Sequence, residues 1–191
     1  MRIIGGKFKG RRFTPPAKNW PTRPTTDFAK EGLFNMLQNL LDIEELEMLD
    51  LFGGTGNHCY EFISRGCSKA TYVDKFVPAV KFVKKTAEIL DITDELRIVH
   101  MDVAKFIGQC QESFDYIFAG PPYGLPWLDD IPDMILSKQL LKPDGLLVLE
   151  HNPNHNFEQH PAFVQSRNYG TTIFSFFRPV IPAPSSTSAN T

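Results

Sequence analysis

The chain has 191 residues, 42% hydrophobic, 12% aromatic and 22% charged, with a formal net charge of −2. That length and apolar content suit one domain with a full core and exclude a disordered or collagen-like chain. No apolar run approaches the ~18 to 20 residues of a bilayer span, and the start Met1 to Gly10 lacks an apolar signal region, so the expectation is a soluble, cytoplasmic protein with no membrane partner.

The net charge conceals a division. Residues 1–30 hold eight Lys or Arg (Arg2, Lys7, Lys9, Arg11, Arg12, Lys18, Arg23, Lys30) against Asp27 alone, a balance of +7, while residues 31–191 hold twelve basic and twenty-one acidic residues, a balance of −9. In Lys7-Phe8-Lys9-Gly10-Arg11 a strand alternation would place the three cations on one face and Phe8 on the other. Cations gain affinity for a polyanion by releasing counterions from its phosphates. Residues 1–25 therefore read as a basic hairpin and connector that bind nucleic acid, with Pro15, Pro16, Pro21 and Pro24 marking the extended connector.

Thr26 to Leu41 reads as a helix, with Leu33, Phe34, Leu37 and Leu41 at helical spacing and Thr26 or Asp27 as its cap. From residue 48 strands and helices alternate. Met48 to Phe52 is a first buried strand, and Asn57 to Arg65 is a helix closed by Gly66. Ala70 to Asp74 is a second strand, followed by a helix with Pro78 in its first turn and Val80, Val83, Ala87 and Leu90 along one face. Leu96 to His100 is a third strand, with a short helix near Val103 to Ile107, and Phe114 to Ala119 is a fourth. A helix over residues 128–140 and the turn Lys142-Pro143-Asp144-Gly145 lead to a fifth strand, Leu146 to Glu150. Ala162 to Asn168 and Thr171 to Phe177 form an antiparallel hairpin about Tyr169-Gly170. The fold expected is a three-layer, Rossmann-like α/β domain over residues 26–178, mostly parallel and finished by a hairpin. Residues 179–191 lack an apolar period and read as a disordered tail.

Chemistry gathers at the strand ends. Asp50-Leu51-Phe52-Gly53-Gly54-Thr55-Gly56 runs from a strand through glycines into a helix, so a ligand can approach the backbone closely. Cys59 stands where a dinucleotide fingerprint has its third glycine, which disfavours a nicotinamide enzyme. Asp74 ends the second strand, where a carboxylate can accept both hydroxyls of a ribose, and Asp102 follows the third, placed to accept from an adenine amine. Gly120-Pro121-Pro122-Tyr123 ends the fourth: two prolines stiffen the turn and leave carbonyls without ladder partners, and Tyr123 offers a face for stacking a base.

The segments Arg23-Pro24-Thr25-Thr26-Asp27, Asp50 to Gly56 and Pro121-Pro122-Tyr123, in that order, resemble the RsmD-type 16S ribosomal RNA (guanine-966 N2) methyltransferases, over roughly residues 1 to 177. The resemblance implies a class I methyltransferase fold with S-adenosylmethionine across the strand ends. It further implies that Asp50, Phe52, Gly53, Gly54, Thr55 and Gly56 meet the methionine part, Asp74 with Lys75 the ribose, and Asp102 with Val103 the adenine. Guanine would stack on Tyr123 beside Gly120, Pro121 and Pro122, and Lys7, Lys9, Arg11, Arg12 and Arg23 would contact 16S ribosomal RNA within a small-subunit particle, the enzyme acting as a monomer.

One position departs from the family pattern, which has Asp or Asn where this chain has Gly120. A side-chain acceptor there, with the Pro121 carbonyl, would hold the amine hydrogens of guanine and free its lone pair for transfer. Loss of such an acceptor costs on the order of 10² to 10³ in rate, so impaired transfer, or a module that binds cofactor and RNA without turnover, stands as the alternative. The histidines 151, 155 and 160 do not read as a metal site, since Asn152-Pro153-Asn154 breaks the helix that i, i+4 ligation needs. Cys59, Cys67 and Cys110 form no C-x-x-C pair and read as reduced, buried thiols.

Overall fold

A computed structural model describes residues 1–15 and 25–180. Arg23, the connector prolines 16, 21 and 24, and the tail beyond residue 180 lie outside the described residues. Helix α1 (Asp27–Leu40) starts at Thr26, whose side chain accepts from the Ala29 amide at 3.2 Å. The parallel units follow: β1 (Glu47–Leu51), α2 (Asn57–Ser64), β2 (Lys69–Asp74), α3 (Val77–Leu90), β3 (Leu96–His100), α4 (Val103–Gln109), β4 (Phe114–Ala119), α5 (Ile131–Ser137) and β5 (Leu141–His151). The hairpin β6 (Phe163–Tyr169) and β7 (Thr172–Phe177) turns through Gly170 at φ 73°, a conformation glycine adopts without a Cβ penalty.

These strands form one sheet in the order β3-β2-β1-β4-β5-β7-β6, parallel from β3 to β5, with β7 antiparallel to both neighbours. Strand alternation sends Met48, Tyr72, Tyr116, Phe118 and Val148 to a core with Leu33, Phe34, Phe62 and Val83 of α1, α2 and α3. It sends Leu49, Leu51, Val73, Ile117 and Leu147 to a second core with Phe106 and Ile107 of α4 and Ile131 and Ile135 of α5. The three-layer α/β architecture is thus as the periodicity predicts. No helix among the described residues is long and apolar enough to cross a membrane.

Several local expectations are corrected. The apolar pattern over 128–140 divides into a 3-10 turn, Leu128–Asp130, and the shorter α5. Residues 142–145 fall within the bounds of β5 but carry none of its pairing: register steps from Phe114 opposite Leu141 to Tyr116 opposite Leu146, so the predicted turn is a bulge that joins Leu141 to the paired run from Leu146. Within the bulge, Lys142 has its Nζ 2.8 Å from Asp115 and 3.2 Å from Glu47. Cys59 and Cys67 are buried, whereas Cys110 is only partly so.

The basic segment is hairpin-like but not a strand with one cationic face. Its ladder is a single bridge, Arg2 to Arg12, and residues 5–10 are turns, with Gly6 and Gly10 at positive φ. Turn geometry brings Lys7 Nζ to 4.9 Å and the Arg11 guanidinium to 5.6 Å from the centre of the Phe8 ring, so cations and ring cluster together. Nor is the segment detached from the body. Ile3 is fully buried among α1 and α2 side chains, and the Ile4 amide donates to Glu61 at 2.8 Å. A Cβ on Gly6 would fall 1.7 Å from the Ser64 carbonyl oxygen, so only glycine allows this docking.

Candidate active site

The C-terminal ends of β1 and β4 open into one pocket. Its lining brings the loop Asp50, Phe52, Gly53, Gly54 and Thr55 together with the turn Gly120, Pro121, Pro122 and Tyr123. The ends of adjacent parallel strands converge here because the β1 to β4 step is where the strand order reverses.

The glycine loop is gripped from β2. The Gly53 amide donates to the Val73 carbonyl at 3.1 Å, the Gly54 amide to Asp74 Oδ2 at 2.9 Å, and the Tyr72 hydroxyl to the Gly54 carbonyl at 2.8 Å. A Cβ on Gly53 would stand 2.4 Å from the Tyr72 ring, so the cradle tolerates no side chain at that position. Phe52 carries φ 61°, a strained value for a non-glycine residue, and its ring packs on Trp127 at 5.8 Å. Gly56 begins α2 at φ 74°.

Asp50 is buried beneath this loop, its Oδ2 accepting from Cys59 Sγ at 3.4 Å. Burial pushes its carboxyl up to about 8, with the Asp74 and Glu150 charges adding in the same direction. A carboxyl so destabilised as an anion gains most from a ligand that brings positive charge.

The remaining acids are placed differently from one another. Asp74 holds the Gly54 amide on one oxygen and the Phe76 amide, at 2.8 Å, on the other, so it organises the loop while each oxygen keeps a second lone pair. Asp102 caps α4 through the Ala104 and Lys105 amides and pairs with Lys75 at 3.1 Å, which lowers its carboxyl. Lys75 and Asp102 sit at the β2 and β3 ends, outside the pocket lining, and the Val103 side chain is in the core, leaving only its main chain to face a ligand.

In the Pro-Pro-Tyr turn the Gly120 amide donates to the Leu51 carbonyl at 3.2 Å, tying β4 to β1. The Pro122 oxygen accepts from the Leu125 amide at 2.9 Å, a local turn bond and not a ladder bond. Tyr123 donates its hydroxyl to Glu150 at 2.9 Å, and its carbonyl oxygen lies 3.3 Å from His155 Nε2. His155 Nδ1 meets Asp129 at 2.7 Å, His160 meets Asp133 at 3.2 Å, and His151 meets Ser175 at 2.8 Å, so each histidine serves a separate structural contact.

Several lining residues receive no site role from the motifs, Thr25 among them although it stands in the Arg23 to Asp27 segment. Thr25, Lys30, Asn57, His58, Phe118 and Glu150 all border the pocket. His58 stacks on Phe118 with centroids 3.8 Å apart, and burial holds its ring well below the usual histidine range, hence neutral. Glu150 had a usable signal, an acid at the end of a parallel strand like Asp50 and Asp74. The four described candidates for RNA contact, Lys7, Lys9, Arg11 and Arg12, are exposed on the hairpin. A second depression lined by Arg2, Arg12, Thr25, Thr26 and Asn57 shares Thr25 and Asn57 with the pocket, so the basic hairpin leads to the site.

A mostly parallel seven-stranded sheet with a glycine loop after β1 and a Pro-Pro-Tyr turn after β4 defines a class I methyltransferase. The family described as Conserved hypothetical protein 95 matches residues 1–178, and the chain belongs to that family, the RsmD-type methyltransferases. Among its relatives are the putative rRNA methyltransferase YlbH of Bacillus subtilis, 34% identical over 80% of this chain and 83% of that one, and the ribosomal RNA small subunit methyltransferase D of Haemophilus influenzae, 30% identical over 78% of each. Among solved structures, the putative methyltransferase yhhF from Escherichia coli superposes with a TM-score of 0.81 at 24% identity, covering 95% of this chain and 99% of that one. The Thermus thermophilus 16S rRNA N2 methyltransferase RsmC, in complex with AdoMet and guanosine, shares the fold at a TM-score of 0.63 and 22% identity, over 82% of this chain and 44% of that one.

Proposed function

We propose that this protein transfers a methyl group from S-adenosylmethionine to the exocyclic N2 of a guanine in 16S ribosomal RNA. The observation that carries the reading is the single pocket in which the Asp50 loop and the Gly120 to Tyr123 turn meet, in a chain related to small subunit methyltransferases.

The residues fit the cofactor. S-Adenosylmethionine supplies an electrophilic methyl on a sulfonium and carries an ammonium group. The glycine cradle closed by Tyr72 admits its backbone-hugging part, and the buried Asp50, with Asp74 and Glu150 near it, favours those positive charges. Asp74 and Lys75 would hold the ribose and Asp102 with the Val103 main chain the adenine. On the RNA side, Tyr123 presents a ring for stacking, and the Pro-Pro turn fixes its main chain. Lys7, Lys9, Arg11 and Arg12 would neutralise phosphates of the strand entering along the Arg12 to Thr25 depression, with Arg23 assigned the same task from sequence.

A second reading, a module that binds cofactor and RNA with slow or no transfer, is favoured by one observation, the bare backbone at Gly120. One assay separates the two. Unmethylated small subunits, or their free RNA, are incubated with labelled S-adenosylmethionine and the nucleosides analysed. N2-methylguanosine is expected; cofactor binding without incorporation would establish the module, and label on another nucleoside would refute the guanine assignment.

A further inference from the structure

We infer that Glu150 supplies the side-chain acceptor that Gly120 lacks, its carboxylate receiving the exocyclic amine of the target guanine. This rests on the guanine-N2 reading above and assigns it a catalytic residue.

The register of two strands places the groups. β4 and β5 are parallel, with Phe118 opposite Val148 and Ala119 opposite Leu149. One step further sets position 120 beside position 150. Alternation directs both toward the face that carries Phe118 and Val148, where α1 and α2 pack. The space above Gly120 agrees: an added Cβ would approach the Phe118 ring at 3.1 Å and meets no other residue within 4 Å. A carboxylate at 120 would therefore point into the pocket that Glu150 already lines. In this chain the acid stands one strand over.

Glu150 is also held for the task. It is 6% exposed, Oε1 accepts from the Tyr123 hydroxyl at 2.9 Å, and Oε2 accepts from the Thr25 hydroxyl at 2.6 Å. These two hydroxyls fix the orientation of the carboxylate at the pocket wall. The ring proposed to stack the base thereby also aims the acid at it. A carboxylate pair of oxygens matches the adjacent N1–H and N2–H donors on the Watson–Crick edge of guanine, whereas adenine presents an acceptor at N1 and hypoxanthine has no amine. In transfer, the amine nitrogen bonds to the methyl carbon as the carbon–sulfur bond breaks with its electron pair left on sulfur. The surplus amine proton passes to the Glu150 carboxylate and from there to solvent.

The test compares the wild-type chain, Glu150→Gln, Glu150→Asp and the double variant Glu150→Gln with Gly120→Asp. Two quantities are read: single-turnover methyl transfer, and fluorescence-detected affinity for a short single-stranded RNA carrying one guanine against its hypoxanthine counterpart. Glu150→Gln is expected to slow transfer by ~10²-fold or more and to abolish the preference for guanine over hypoxanthine. Glu150→Asp should keep that preference, since it keeps the carboxylate, and the double variant should recover at least about a tenfold part of the lost rate. Gly120→Asp alone should raise the rate less than it does in the Glu150→Gln background. A Glu150→Gln enzyme that retains its rate and its preference, or a wild-type chain that binds both RNAs equally, overturns the role of Glu150. A wild-type chain that makes no N2-methylguanosine instead overturns the reading on which the role rests.

Discussion

Lys30 Nζ lies 3.1 Å from Glu61 Oε1, an ion pair between α1 and α2 whose side chains are 3% and 0% exposed. Glu61 also accepts from Arg65 and from the Ile4 amide, and Lys30 donates to the Arg2 carbonyl, so one buried carboxylate joins the two helices to the basic hairpin. The hairpin is held to the body by charges that neither segment could bury alone.

The first expected outcome follows from that arrangement. Removing one partner of a buried ion pair leaves the other charged and desolvated, which costs ~3 to 5 kcal/mol. Glu61→Ala should lower stability by that amount in urea unfolding, because Lys30 and Arg65 lose their common anion. Amide exchange at Ile4 should accelerate more than at Leu49, in the sheet core. A loss below ~1 kcal/mol would show that the triad contributes little beyond packing.

Asp50 predicts a pH dependence of known sign. Its folded value, about 8, exceeds its ordinary value, 3.8, because burial penalises the anion. Between these values the folded chain holds a proton that the unfolded chain has released, so Asp50 makes stability fall as pH rises through this window and level off above it. Asp50→Asn should remove that component and stabilise the ligand-free chain at pH 7 by on the order of 4 kcal/mol. A cationic ligand reverses the preference: affinity for S-adenosylmethionine should increase with pH up to about 8 and then flatten, with proton release on binding seen by calorimetry in buffers of differing ionisation enthalpy. Asp50→Asn should bind weakly and without pH dependence; a flat wild-type profile would exclude Asp50 from the cofactor's charged end.

The hairpin cations carry a salt prediction. Replacing Lys7, Lys9 and Arg11 by Ala should weaken RNA binding and flatten the log-affinity against log-salt slope by ~0.7 per lost phosphate contact, up to ~2 for the triple variant. Lys7, already 3.8 Å from Glu95, should contribute least. Cofactor affinity should not change, since none of the three borders the pocket. An unaltered slope would remove the hairpin from the RNA interface.

Much of this molecule is written in local pattern. Third and fourth strands at Leu96–His100 and Phe114–Ala119 and the Thr26 cap follow from residue spacing, because a buried parallel strand is a short apolar run and a helix start needs an acceptor for its free amides. The loop Asp50 to Gly56 and the turn Gly120 to Tyr123 were equally legible, since close backbone approach demands glycine and a stiff turn demands proline. Where local pattern misled, long-range contacts overrode it. Leu141 lies before the turn at 142–145, yet it pairs with Phe114 across the sheet, so β5 begins earlier than its apolar run. Lys7 to Arg11 look like a strand, but Gly6 against Ser64 bends them into turns.

The order of charges along the sequence by itself determined the division that separates a basic first thirty residues from an acidic remainder, and with it the expectation of a polyanionic partner. Only the tertiary structure decided where those charges stand. It placed Lys30, counted among the arm's cations, in the interior as the counterion of Glu61, and it brought Glu150 to the pocket that Gly120 lines, thirty residues away along the chain, by pairing β4 with β5. Sequence separation carries no information about which strands lie side by side; hydrogen-bonded register and the burial of unlike charges together do.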